Sequence, residues 1–280
     1  VLGTTRELLP FSQKFRVDDV FIALPWSAEN RINEVLNTVQ VIPANIHLFP
    51  DALRLSLASR QVSAMDGIPV VTMMAKPVSG WGYLVKSLLD RVLATVGFIV
   101  LLPFLGLVAL IIRLDSKGPV LFRQPRLGFN NKIMHIYKFR SMYHDQTDVV
   151  ADRLATKDDP RITRVGRILR KLSIDELPQL LNVMRGDMSL VGPRPHALKA
   201  KAAGHLYHEI VSGYALRHKI KPGITGWAQV SGWRGETDTE EKIIRRVECD
   251  LFYMNNWSVL FDLYILLMTV LKVPFHKNAY

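Results

Sequence analysis

Residues Val92 to Ile112 read VLATVGFIVLLPFLGLVALII, 21 positions without a charge. About 20 predominantly apolar residues are enough for a helix to cross the hydrocarbon core of a bilayer. Such a run is either a membrane segment or the core helix of a soluble domain. A hydrophobic fraction of 49% and a mean hydropathy of +0.12 favour the membrane. Lys86 and Arg91 precede the run, and Arg113, Lys117, Arg123 and Arg126 follow it. Lys and Arg gather on the cytoplasmic side of membranes, so both ends are expected there. A straight span cannot meet that demand. Pro103, the twelfth of the 21 residues, removes a backbone donor and kinks a helix. The sequence therefore predicts a re-entrant helix that enters and leaves by one face; a kinked but fully spanning helix is the competing form.

This segment divides the chain into residues 1–80, 81–116 and 117–280. The first part alternates strand and helix signals. DDVFIALP, ANIHLFP and IPVVTMM read as strands, and SAENRINEVLNTVQVI has the apolar spacing of a helix, with Ser27 as its N-cap. This is half of a Rossmann-like unit without a G-x-G-x-x-G turn, so a structural or regulatory role is expected. The first residue is Val, which suggests a processed or truncated chain. No secretory signal is visible in the first twenty residues.

The last part reads as a compact α/β domain. Two strands are expected in GPVLFRQPRLGFNNKIMHIYKFRSM, turning near Asn130 and Asn131, and helices are expected in DPRITRVGRILRKL, in DELPQLLNVMRG up to Gly186, and around residues 197–216. Val259 to Val273 is apolar but short, which suits a helix lying in the membrane interface.

Charge is concentrated in the same region. Residues 113–249 carry 25 Lys and Arg against 15 Asp and Glu, nearly all of the formal net charge of +11. Such an excess suits phosphate, whether on nucleotide, lipid headgroup or nucleic acid. The single Cys249 excludes an intrachain disulfide and a cysteine-rich zinc site.

Within this basic region the stretch SIDELPQ places Asp175 and Glu176 side by side ahead of Pro178. Ser173 and Glu176 fit a capping box, but Pro178 would then fall at the fifth helical position, so a cap at Asp175 fits better. Arg161, Arg164, Arg167, Arg170 and Lys171 form a basic stripe leading to the pair. Capping and chemistry are both open at this point. Two ionised carboxylates with a divalent cation suit a pyrophosphate, and an Asp carboxylate can act as a nucleophile toward phosphorus. In VGPRP, Pro193 and Pro195 stiffen the backbone around Arg194, which suits a guanidinium that forks onto phosphate. In YKFRSM, Lys138 and Arg140 share a strand face. Trp227 and Trp233 lie in a glycine-rich loop as anchors or ligand contacts. Asp250 precedes the terminal apolar segment, and His205 and His208 read as surface residues.

With KFRSM, DPRITRVGRILRKLSIDELPQLLNVMRGDMSLVGPRP, KPGITGWAQVSG and DLFYMNNWS in this order, residues 84–280 resemble the bacterial polyprenyl-phosphate sugar-phosphate transferases, the monotopic phosphoglycosyl transferases. The resemblance implies an α/β (α+β) membrane-associated catalytic domain with a Pro-kinked re-entrant helix, preceded by part of a Rossmann-like domain. It implies that Asp175 attacks the β-phosphorus of a UDP-sugar and that undecaprenyl phosphate then takes the sugar phosphate. Glu176, with Asp175, would hold Mg²⁺, and Lys138, Arg170 and Arg194 would hold phosphates, with Asp250 as a further family carboxylate. GPRPHA, with His196, is similar to the branch that uses UDP-glucose, galactose being the alternative. Some members have Ser before the kinking proline; Leu102 stands there in this chain. The implied partners are a UDP-sugar, undecaprenyl phosphate and membrane lipid at the cytoplasmic face of the bacterial inner membrane. Nucleic acid is not expected, and a homodimer is admissible. The competing class is a non-catalytic membrane scaffold that binds acidic partners.

Overall fold

A computed structural model describes residues 3–49, 63–65, 68–144, 159–198, 200–202, 205–211, 213–235 and 239–272. The chain forms two compact units, Val1–Pro77 and Val78–Tyr280.

In the first unit, helix α1 (Leu8–Lys14) precedes strand β1 (Asp19–Ile22), helix α2 (Glu29–Val39) and strand β2 (Asn45–Leu48). Strands β1 and β2 pair in parallel across α2, the βαβ crossover expected of a Rossmann-like unit. Strands β3 (Ser63–Met65) and β4 (Ile68–Met74) complete the sheet in the order β1-β2-β4-β3, and both of their pairings are antiparallel. Only two residues separate β3 from β4, too few for a parallel crossover. Ile22, Ile32, Val39, Ile42, Ala44, Ile46 and Leu48 form the core. The cap of α2 is Ala28, not Ser27, and no side chain caps it.

The second unit begins with one helix, α3 (Gly80–Asp115), unbroken through Pro103. At about 1.5 Å per residue its 36 residues extend roughly 54 Å. Its inward positions are Lys86, Asp90, Ala94, Phe98, Leu101, Leu105, Val108 and Ile112, which recur every three or four residues and form one seam. Ala94 packs with Val183, Met188 and Tyr253, while Leu105, Val108 and Ile112 pack with Phe139 and Leu169. The same domain therefore covers one face of α3 along nearly its whole length. The other face is apolar and open: Ile99, Val100 and Leu102 are 63%, 71% and 52% exposed. Pro103 lies on this outward face.

Strands β5 (Leu121–Leu127) and β6 (Ile133–Phe139) form the expected antiparallel hairpin, with Asn130 and Asn131 both at φ 54° in its turn. Helix α4 (Arg164–Lys171) starts at Thr163, whose side chain accepts from Gly166 N–H. Arg161 thus lies outside the basic stripe and pairs with Asp159 at 2.6 Å. After a 3-10 helix (Ile174–Gln179) come α5 (Leu180–Arg185), stopped by Gly186 at φ 85°, and β7 (Ser189–Val191).

The single helix expected around 197–216 does not form. Strands β8 (Lys201–Ala202) and β9 (His205–Leu206), the four-residue α6 (Tyr207–Ile210) and a 3-10 helix (Tyr214–Lys219) occupy the described part of that stretch. Gly213, at φ 76°, is one reason: it turns the chain between the last two pieces. Strand β10 (Gly223–Thr225) pairs in parallel with β7, and α7 (Trp227–Val230), α8 (Glu240–Asn255) and α9 (Val259–Lys272) follow. Helix α8 is missed by the sequence reading, whereas α9 lies where the apolar segment is expected. Val273 lies outside the described residues.

Lys86, expected to flank the membrane, is instead buried in a knot of polar groups. Its Nζ donates to Asp262 Oδ2 at 2.7 Å and to the Val191 carbonyl at 3.1 Å. Asp90 accepts from Ser189 Oγ and Leu190 N–H, and Asp262 from Tyr253 Oη and Trp257 Nε1. The knot ties α3, α8 and α9 to β7.

Candidate active site

The 3-10 helix Ile174–Gln179 carries Asp175 and Glu176 in its first turn. Its cap is Ser173, at φ 57°, not Asp175 as the position of Pro178 suggests. The tighter winding is the reason: Glu176 N–H closes the first turn on the Ser173 carbonyl at 3.2 Å, and Pro178 then forgoes one bond before α5 begins. No capping box forms. Ser173 Oγ accepts from Arg234, and no side chain caps the helix.

Two contacts fix this segment. Ile174 and Leu177 pack against the cluster of Leu105, Val108, Ile112, Phe139 and Leu169, so the segment of the acidic pair shares an apolar core with α3, β6 and α4. Asn182, fully buried on α5, accepts from Tyr137 N–H at 3.0 Å and donates to the His135 carbonyl at 2.7 Å, pinning the segment to β6.

The two carboxylates differ. Arg194 forks onto both oxygens of Glu176, with one arm at 3.0 Å, and Lys138 Nζ donates to Oε1 at 2.8 Å. Burial alone would raise the Glu176 pKa, but Arg194 and Lys138 overcome it and hold the group well below the usual carboxylate range. Asp175 is buried as well, yet no side chain among the described residues hydrogen-bonds or ion-pairs with its carboxylate. Burial pushes its pKa up to about 6; Lys138, Arg170 and Arg194 pull it back, while Glu176 adds to the rise. The result is a held anion beside an unheld one that is ionised at neutral pH.

Two further arginines face this pair: Arg126, expected from the sequence only as a membrane flank, and Arg234, absent from the sequence reading. Burial and the nearby Arg194 pull Arg126 down to about 10, and its buried Nε has no hydrogen-bond partner among the described residues. Arg234 bonds Ser173, while a second guanidinium nitrogen is buried and unpartnered in the same sense. Buried donors left unsatisfied cost stability unless a ligand completes them. Lys138, Arg126, Arg170, Arg194 and Arg234 thus surround two acids, an arrangement suited to a phosphate group. No sequence signal separates Arg126 or Arg234 from the other cations of this region.

The loop carrying Arg194 is held by close backbone contact. Gly192 and Gly223 approach so closely that a Cβ on Gly223 would lie 2.1 Å from the Gly192 nitrogen. Gly223 N–H donates to the Pro193 carbonyl at 3.0 Å, and Gly192 N–H to the Thr225 carbonyl at 2.9 Å. Pro193 and Pro195 therefore shape a loop welded to the PGITG segment. Trp227 is an anchor, packed with Phe252, Phe261 and Tyr264.

Three candidates lie away from the acidic pair. Arg140 donates to the carbonyls of Pro119, Ile112 and Ser116 at 2.7, 3.2 and 2.6 Å, closing the C-terminal end of α3 rather than facing a ligand. Asp250 pairs with Arg217 at 2.6 Å. His196 is buried, and its Nδ1 lies 2.6 Å from Arg217 and 2.8 Å from Tyr214 Oη. Burial, then Arg217, hold its pKa well below the usual value, so the ring is neutral.

Two adjacent carboxylates fit Mg²⁺, which typically takes one or two carboxylates and completes its shell with phosphate and water. The described residues contain no group of three or more His, Cys, Asp or Glu able to hold a metal ion by themselves. Asp175, unheld by a side chain among the described residues, suits that partial donor set, and Glu176 would join it by releasing Arg194 or Lys138.

Comparison with known proteins gives the family. The family described as "Bacterial sugar transferase" matches residues 81–276, and "CoA-binding domain" matches residues 1–50. An undecaprenyl-phosphate glucose phosphotransferase of Komagataeibacter xylinus is 42% identical, covering 99% of this chain and 52% of that protein. A UDP-glucose:undecaprenyl-phosphate glucose-1-phosphate transferase of Escherichia coli K12 is 43% identical, covering 99% and 59%. A galactosyl transferase of Streptococcus agalactiae is 34% identical, covering 94% and 59%. The chain spans about half to three-fifths of the length of these relatives. The family match takes in the apolar helix, the acidic pair and every cation around it: the chain belongs to the bacterial sugar transferases.

Proposed function

We propose that this chain transfers glucose 1-phosphate from UDP-glucose to undecaprenyl phosphate, as the initiating step of exopolysaccharide or capsule synthesis. The observation that carries the proposal is the buried Asp175 carboxylate, unheld by any side chain among the described residues, in a ring of cations beside the apolar cluster that α3 lines. In the first step Asp175 attacks the β-phosphorus of UDP-glucose. A new carboxylate–phosphorus bond forms, the bond from that phosphorus to the bridging oxygen breaks, and UMP leaves with the electron pair. In the second step an oxygen of undecaprenyl phosphate attacks the same phosphorus and Asp175 departs, leaving undecaprenyl-diphospho-glucose.

Arg194, Lys138, Arg170, Arg126 and Arg234 bind and orient the phosphates, and Glu176 keeps Arg194 and Lys138 in register before substrate arrives. Asp175 and Glu176 would hold Mg²⁺, which when bound neutralises phosphate charge.

The seam along α3 supports the re-entrant reading. A helix that keeps both ends on one compact domain cannot place those ends on opposite sides of a bilayer without taking the domain along. Arg91, Arg113 and Lys117 remain exposed near the two ends and favour the cytoplasmic face, even with Lys86 withdrawn into the knot. Pro103, on the outward face, leaves a carbonyl one turn back without its donor, where a bend is easiest.

The test is UMP release from purified chain in lipid with Mg²⁺ and undecaprenyl phosphate, comparing UDP-glucose with UDP-galactose. Release with UDP-glucose is expected. Release mainly with UDP-galactose would change the sugar and keep the chemistry, and an absence of UMP with every UDP-sugar tried would end the enzyme reading.

A further inference from the structure

Helix α8 lies outside the phosphate-facing cluster, yet two of its buried side chains reach the loops that carry Arg194 and Arg234. Asp250 accepts from Arg217 at 2.6 Å. The same guanidinium donates to the Arg194 carbonyl at 2.7 Å and to His196 Nδ1 at 2.6 Å. One turn earlier, Arg246 donates at 2.6 Å to the carbonyls of Trp233 and of Gly235, the two neighbours of Arg234. Positions 246 and 250 share a helix face, buried with Ile243, Val247 and Tyr253.

We propose that α8 is the positioning element of the site: Arg246 sets the loop of Arg234, and Asp250, acting through Arg217, sets the loop of Arg194. None of the three touches Asp175 or Glu176 through any side-chain contact among the described residues, so each is a positioning residue rather than a catalytic one. The proposal rests on the transferase reading and gives Asp250 a role within it. Its physical basis is burial. Arg217 is 2% exposed and sits between an anion and two acceptors. It fixes a backbone carbonyl whose own side chain must meet a phosphate, where small displacements are costly.

A buried pair is also a structural plug, so the test separates the two roles. Arg217→Met with Asp250→Leu replaces both charges by apolar groups, which avoids stranding either one. This double variant, Arg194→Ala, and the triple combination are compared by thermal unfolding and by UMP release. The double variant is expected to unfold near the unmodified chain and to lose about 10- to 100-fold in rate. In the Arg194→Ala background the same pair of changes is expected to cost less than about twofold, because the side chain it positions is gone. Losses that multiply in the triple variant, or a double variant of unmodified rate, would overturn the proposal. If the apolar pair does not fold, Asp250→Asn alone is compared in the two backgrounds with the same criteria. For the other arm, Arg246→Met is expected to lose rate in the unmodified chain and little in an Arg234→Ala background; multiplied losses would overturn that arm. An unmodified chain that releases no UMP would overturn both this proposal and the transferase reading.

Discussion

Two clusters of buried charge lie in the domain that packs along helix α3, and they are built on opposite principles. Around Lys86 the anions have matched donors: Asp262 takes Lys86, Tyr253 and Trp257, and Asp90 takes Ser189 and Leu190 N–H. Around Glu176 the cations outnumber the acids, and among the described residues two guanidinium groups keep unpartnered nitrogens and no side chain holds Asp175. A completed network fixes elements in place, while an incomplete one stores interactions for a ligand. The comparison fits the first cluster to architecture and the second to the proposed chemistry, although the sequence shows charged residues in both.

The hardest test of that contrast is Asp175→Asn. UMP release is expected to fall by about three orders of magnitude or more, since the proposed nucleophile is lost. The folded chain is expected to gain roughly 1–3 kcal/mol at pH 7. The sign follows from the pKa, which burial raises from 3.8 to about 6. The folded chain binds this proton more tightly than the unfolded chain, so Asp175 costs stability above about pH 6. The difference between the two proteins is expected to shrink as pH falls from 6 to 4, as thermal unfolding across pH would show. A variant that is less stable at pH 7 would place Asp175 in the architectural class.

Lys86→Met should do the reverse. It strands Asp262 and is expected to cost about 3–5 kcal/mol in thermal unfolding. The surviving folded fraction should retain its KM for the UDP-sugar, and a changed KM would blur the division.

Arg140→Lys sharpens the contrast at a third point. Loss of the fork on the α3 carbonyls is expected to cost about 1–3 kcal/mol, with KM unchanged. A weakened KM would return Arg140 to the phosphate-binding set. The smallest effect is the acid limb of kcat/KM. It should bend near pH 6 as Asp175 takes a proton, giving a loss of about tenfold at pH 5. A flat profile down to pH 5 would mean that Asp175 titrates lower.

Much of this site was legible in the sequence because its signals are local. Asp175, Glu176 and Arg194 stand in short motifs, the hairpin turn announces itself with two asparagines, and α3 is unmistakable as an uncharged run. The misses share a different cause. Arg217 matters because it meets Asp250, 33 positions away, and Arg234 because it meets Ser173, 61 positions away; no short pattern encodes either. Helix α8 hides because its buried face includes Arg246 and Asp250, which interrupt the apolar period. Lys86 and Arg140 looked like a membrane flank and a ligand contact because each reads as a cation until its buried acceptors are known.

The seam of α3 has one more consequence. Ile174 and Leu177 join the apolar cluster that Leu105 and Val108 line, so the segment carrying the acidic pair shares one packed core with the helix. In any bilayer that this helix enters, its depth sets the altitude of Asp175 above the lipid tails. A thicker or thinner membrane would then act on the proposed reaction as a change in reach between Asp175 and a phosphate fixed to the surface.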